Sequence, residues 1–221
     1  MKRDYKNLLY RCLIMLVGLV IAHFGVTIYL LADLGADPFN VFVQGAFRSL
    51  QSLTDSAFLT HGRTHIAISL LIIFILLAVD RTYIKIGTIL CMICGGPIID
   101  FFTMLFSPVF AISHPVWADI LAGIIACAIL AFGMTIVIKS DAGTGPNDLV
   151  AVVISDKIHR SFSIVRIAVD VAFVAIGFIL GGSFGIGTII CAFLVGPVAG
   201  FFLPYSEKYI NVLLRCQGQK V

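Results

Sequence analysis

Apolar residues run nearly unbroken through six stretches of this chain, at about 12–31, 64–79, 86–106, 116–138, 163–181 and 186–204. None of them alternates with period two, and most are about the length needed to cross a bilayer core as a helix. The pattern predicts an all-α, polytopic transmembrane bundle. Between the first and second stretches lies Pro38 to Leu50, and between the fourth and fifth lies Pro146 to Ile158. Each of these segments opens on proline, which is tolerated at the first position of a helix. Asp37 is placed to cap the first, and Thr144 or Gly145 the second. Thirteen residues of helix extend about 20 Å, short of a hydrocarbon core of about 30 Å. Both segments are therefore expected to be re-entrant or interfacial.

The apolar pattern also repeats. IGTILCMICGGPIIDFF at Ile86 to Phe102 returns as IGTIICAFLVGPVAGFF at Ile186 to Phe202, with nine of seventeen positions identical. An Asp-x-Gly-x-x-Pro element precedes each copy, Asp33-Gly35-Pro38 in one half and Asp141-Gly143-Pro146 in the other. Duplication inside a very apolar chain marks two-fold membrane transport folds. Residues 1–106 are expected to form the first repeat, 107–204 the second, and 205–221 a cytoplasmic tail. Three spans per half is an odd number, so the halves are expected to be inverted relative to each other.

Composition agrees with the pattern. Hydrophobic residues make up 60% of the 221 and charged residues 12%, about half the charged share of a soluble domain. With six spans and cytoplasmic termini, twelve Lys and Arg side chains fall inside and two outside, with Arg166 within a span. Counting both short segments as spans leaves eleven against three, so charge does not separate the two topologies; segment length favours six. The net charge of +3 thus reports topology and implies no nucleic acid. The apolar run after the N-terminal MKRDYKNLLYR is about twice a signal-peptide core and ends in no small-x-small site, so it is expected to be a retained span.

Polar residues inside spans are costly and mark candidate sites. Gly35, Pro38, Gly143 and Pro146 break helical hydrogen bonding, and the freed backbone groups must be buried in protein or line a wet cavity. Asp33 and Asp141 stand before the breaks, and Asn40, Asn147 and Asp148 after them. Such a cluster suits a small polar or charged solute; the plainer reading is a capped helix end in the headgroup region. Arg166 and Asp170, four apart, share one face of the fifth span and can pair. They act as a gate, coupling-ion site or solute contact, or else as an ion pair that fixes packing. The other half carries His65 and Ser69 instead. Asp100, whose repeat mate is Gly200, is either a carboxylate along the path or a residue near the extracellular end. His23 is expected to be a hydrogen-bonded structural histidine, and Asp119 a helix N-terminal charge.

Gly87 with Cys91, and Gly187 with Cys191, put small residues on one helix face and favour close packing. The Gly-Pro pairs at Gly96-Pro97 and Gly196-Pro197 are expected to bend their spans. The six cysteines lie mostly in apolar stretches; Cys91-x-x-Cys94 has no second pair or clustered His beside it, so buried thiols are expected. No Walker, His-Glu-x-x-His or zinc pattern is present. No enzyme activity, metal or cofactor is expected.

The repeated Asp-x-Gly-x-x-Pro, IGTI-x-C and Gly-Pro-x-x-x-Phe-Phe elements resemble the YczE/YitT group of bacterial membrane proteins, closest to its YczE branch, from the first span to Pro204. The resemblance implies a bacterial inner-membrane protein and supplies neither substrate nor site residues. The expected function is a small transporter or permease for a polar or charged solute, with its site at the seam of the repeats, and a homodimer is plausible for so thin a bundle. The alternative is a non-transporting accessory protein that binds a membrane partner. In the first case the charged residues line a wet cavity; in the second they pack dry.

Overall fold

The computed structural model describes residues 5–32, 35–54, 58–110, 115–160 and 162–216. Among them are eight α-helices and no strand: α1 (Tyr5–Ala32), α2 (Pro38–Thr54), α3 (His61–Val79), α4 (Ile86–Phe110), α5 (Val116–Ser140), α6 (Pro146–Ile158), α7 (Phe162–Ile179) and α8 (Ile186–Cys216). Helices α1, α3, α4, α5 and α8 are long and apolar enough to cross a membrane. α7, where another span was expected, has 18 residues and is about 27 Å long. α6 has 13 residues, as expected, whereas α2 runs on to Thr54 and reaches 17. α8 continues unbroken through Pro204, so residues expected to form a tail are helical as far as Cys216. There Ser206 bonds Thr135, and Ile210 and Leu214 are buried, which gives the extra turns a packing partner.

Small residues set the central contact. α1 lies antiparallel to α5: Arg11 reaches the Ser140 carbonyl, Gly18 faces Gly133 and Ile136, and Gly25 faces Ala126 and Leu130. A Cβ on Gly25 would fall 2.7 Å from the Ala126 carbonyl oxygen, so the backbones approach as closely as glycine permits. Around this pair, α1 runs parallel to α4, with Met15 near Cys91 and Phe24 against Phe102 and Phe106. α5 runs parallel to α8, with Phe132 on Phe202 and Thr135 on Ser206.

The short helices cross between the halves. α2 packs along α7, with Phe39 and Phe42 on Phe173, and Ser49 donating to the Leu180 carbonyl at 2.7 Å. α6 meets the end of α3, where Tyr83 donates to Asp156 and Lys157 pairs with Asp80. Phe39 and Val43 of α2, Leu149 and Val153 of α6, and Ile72 and Leu76 of α3 form one buried cluster. The breaks that precede these helices dock reciprocally. Gly35 (φ +98°) lies against Gly185 and Thr188 at the start of α8, and Gly143 (φ +150°) against Gly87 and Thr88 at the start of α4. Each half therefore seats its break on the other half's copy of the IGTI element.

The halves differ at one contact. α3 packs closely on α4, where Gly62 meets Gly96 and the Asp100 carboxylate. α7 and α8 make no comparable packing, and a Cβ at Gly196 or Gly200 would meet nothing within 4 Å.

One acidic side chain outside the spans couples fold to pH. Asp80, between α3 and the 3-10 turn Arg81–Tyr83, accepts from the Thr82 hydroxyl (2.7 Å), the Thr82 amide (3.0 Å) and Lys157 (3.2 Å). These bonds, the Thr82 hydroxyl's first, hold its carboxyl at a pKa of about 2 against an ordinary 3.8. Because the folded value lies below the unfolded one, the contribution is present above pH 3.8 and is lost as the pH falls towards 2. Asp80→Asn is expected to flatten this part of the acid limb of a plot of melting temperature against pH. An unchanged limb would show that the bonds do not outlast unfolding equilibria.

Candidate functional site

Arg166, on the second turn of α7, organises a charged cluster. Its Nε donates to Asp170 at 2.9 Å, and its Nη1 pairs with Asp148 on the first turn of α6. The (i, i+4) pair expected on α7 is therefore present, and Asp148 joins it from another element. Asn147 donates to Asp148 at 3.0 Å. The side chains of Arg166, Asp148 and Asp170 are 26%, 23% and 27% exposed, so they are enclosed by helices without being sealed. Asp37 stands just before α2, whose Phe39 packs on Phe173 three residues beyond Asp170, so the start of α2 is turned towards this part of α7. It caps α2 as the sequence suggests: its carboxylate accepts from the Asn40 amide at 3.3 Å and the Asn40 side chain at 2.7 Å.

A second polar line continues from Asn40. Its Nδ2 is committed to Asp37, which leaves Oδ1 to accept from His61 Nε2 at 3.2 Å. His65, one turn further along α3, packs edge-on against Phe39 and His23, with centroids at 5.3 and 5.7 Å. His23 Nδ1 lies 2.9 Å from the Leu19 carbonyl oxygen, the structural bond expected of it, and this fixes the proton on Nδ1 and leaves Nε2 as an acceptor. His65 Nδ1 and Ser69 Oγ are buried and take part in no hydrogen bond.

The other residues singled out in the sequence divide. Gly35, Pro38, Gly143 and Pro146 shape the breaks. Gly145 is the N-cap of α6 and supplies no side-chain bond. Asp141 stands apart from the cluster: it ends α5 in the left-handed conformation, 68% exposed, and pairs with Lys85 at 3.0 Å and Arg11 at 3.6 Å. Proximity in the motif grouped it with Asp148; the turn after α5 separates them. Asp100 accepts from Thr60 Oγ1 (2.6 Å) and the Gly62 amide (2.9 Å), so it holds the start of α3 to α4. Asp33 lies outside the described residues. Asp119 sits in the first turn of α5, as its dipole role requires. Among the described residues no group of three or more His, Cys, Asp or Glu could hold a metal, and Cys91 and Cys94 are free thiols.

Sequence reasoning passed over two members of the site. From the sequence Asp37 is expected only to cap a helix, and His61 draws no reading. Asp37 carried a usable signal, since it stands at the break itself, one residue before the proline.

Apolar helices of spanning length around an enclosed charged cluster define a multi-pass membrane protein. The chain belongs to DUF6198, a family of unknown function, whose sequence pattern matches residues 9–204. It is 27% identical over 207 residues to the uncharacterized membrane protein YczE of Bacillus subtilis (strain 168), covering 93% of this chain and 91% of that one. It is also 27% identical over 191 residues to an uncharacterized protein of Haemophilus influenzae, covering 86% of this chain and 82% of that one. No solved structure matches.

Proposed function

We propose that this protein is a small secondary transporter built from two inverted repeats. It carries a polar or charged solute across the bacterial cytoplasmic membrane without altering it chemically, and both termini face the cytoplasm. α2 and α6 act as re-entrant helices that contribute Phe39, Val43, Leu149 and Val153 to one buried cluster with α3. The antiparallel α1 and α5, the parallel pairs α1–α4 and α5–α8, and the reciprocal seating of Gly35 and Gly143 support the inverted arrangement. The observation that carries the transport reading is the pairing of Arg166 on α7 with both Asp170 of the same helix and Asp148 at the start of α6. Ionisable groups within a membrane bundle mark solute and ion paths, and discontinuous helices place such groups at repeat interfaces.

Two measurements test this. In a variant without native cysteines, Ser52→Cys and Phe184→Cys are expected to react with impermeant maleimide from outside intact cells, and Thr82→Cys and Arg160→Cys only from inside. Labelling of Ser52→Cys and Thr82→Cys from one side overturns the topology. Proteoliposomes on a solid-supported membrane are expected to give currents with one class of solute in a panel of amines, carboxylates, phosphate and polyols. Silence across the panel favours the second reading, a protein that binds a membrane partner or a second copy through the open α7–α8 face, where Gly196 and Gly200 have no neighbours.

A further inference from the structure

We infer that two clefts, one in each repeat, each seat an acyl chain of an anionic phospholipid, with the lipid phosphate on Arg63 in one and on Arg160 in the other. This is independent of the transport reading. Each cleft lies inside a helical hairpin, near its turn: α2 with α3, about 330 Å³, and α6 with α7, about 400 Å³. Their walls correspond. Ala46 and Leu50 of α2 answer to Ile154 and Ile158 of α6, at the spacing that separates Pro38 from Pro146. Ala67, Ile68 and Leu71 of α3 answer to Ala168, Val169 and Ala172 of α7, again at one constant spacing. The same opening thus recurs although most of the paired side chains differ, so it belongs to the hairpin and not to one set of residues.

Hydrocarbon is what these walls accept. Apart from the arginines, the one polar side chain is Thr64, whose hydroxyl donates to the Thr60 carbonyl. Leu71 and Ile164 on the rims are exposed. Apolar space of this kind offers water no partners, and burying methylene groups in it is favourable. The charge at each mouth selects the headgroup. Arg63, in the first turn of α3, holds its guanidinium 4.0 Å from the centre of the Phe58 ring and donates to the Phe58 carbonyl. Arg160 directly follows His159, the left-handed residue that ends α6. Among the described residues neither arginine pairs with a carboxylate. A guanidinium at the end of an apolar slot suits a phosphodiester, and basic pockets between membrane helices bind anionic headgroups.

The two mouths lie at opposite ends of the bundle. α2 is antiparallel to α3, since Phe39 meets His65 and Phe47 meets His61. It is parallel to α7, since Phe39 meets Phe173 and Ser49 meets Leu180. α3 and α7 are therefore antiparallel, and each leaflet has one arginine and one cleft.

The test is native mass spectrometry of the delipidated full-length chain with dioleoyl phosphatidylglycerol, dioleoyl phosphatidylcholine, dioleoylglycerol and glycerol phosphate. Two phosphatidylglycerol molecules are expected to be retained, about fivefold more tightly than phosphatidylcholine. Dioleoylglycerol is expected to bind more weakly still, and glycerol phosphate not at all. Arg63→Gln and Arg160→Gln each abolish the headgroup preference at one site, and Ala67→Phe and Ala168→Phe each remove one bound lipid. All four residues are exposed, so the lipid-free melting temperatures are expected to match wild type. Equal retention of the two phospholipids, no retained lipid, wild-type stoichiometry when both alanines are replaced, or binding of glycerol phosphate alone overturns the inference. So does a dimer that Ala67→Phe or Ala168→Phe dissolves, since a second copy then fills the cleft.

Discussion

Arg166→Gln is expected to destabilise the protein by about 3–5 kcal/mol, because it strands two enclosed carboxylates at once. Asp148 and Asp170 both bond this one guanidinium, and neither reaches bulk water freely. The measurement is thermal unfolding in detergent, with size-exclusion chromatography to establish that the variant is monodisperse. The cost should shrink to below about 1 kcal/mol when the substitution is made in an Asp148→Asn, Asp170→Asn background, since the charges that needed the guanidinium are then gone. An equal cost in both backgrounds would mean that Arg166 matters through its packing alone. Solute currents separate the roles further: the triple variant regains stability and is expected to stay silent.

The second large effect is predicted at the two docked breaks. Gly143→Ala places a methyl group 2.6 Å from the Thr88 amide nitrogen, and Gly35→Ala places one 2.7 Å from the Gly185 amide nitrogen. Backbone atoms cannot step aside as the end of a side chain can, so overpacking adds to the strain of a positive φ. Together these amount to about 2–5 kcal/mol at each position. Gly181→Ala is the control: its φ is +90° but nothing lies within 4 Å of the added carbon, so only about 1–2 kcal/mol of strain is expected. Equal losses at Gly35, Gly143 and Gly181 would show that conformation, and not the reciprocal docking, requires glycine there.

Much of the bundle is legible in the chain, because bilayer thickness turns uninterrupted apolar length into helices that span it. Helix ends are less legible. α1 starts at Tyr5, among residues such as Lys6 and Asn7 that the apolar pattern excludes, and α8 passes Pro204 because buried contacts with α5 sustain it. Within the site, Arg166 with Asp170 could be read from helical spacing. Asp148 could not be joined to them, since it stands eighteen positions before Arg166 across a turn, and only tertiary packing brings α6 to α7. Asp141 misled for the converse reason: sequence places it seven residues from Asp148, while a left-handed turn sends it to the surface with Lys85 and Arg11. The slightness of α7–α8 packing was legible only as Gly200 standing where the first repeat has Asp100, a substitution whose meaning depends on Asp100 holding α3.

The reciprocal seating of the two breaks has a consequence for biosynthesis. Translation delivers α1 to α4 before α8 exists, yet Gly35 rests on the first turn of α8, and α2 packs along α7. While the ribosome is still making the second half, α2 lacks the surface that orders it, and its polar start must wait in water or at the headgroups. The newly made first half is thus an insertion intermediate with an undocked segment, completed only when the last helix arrives.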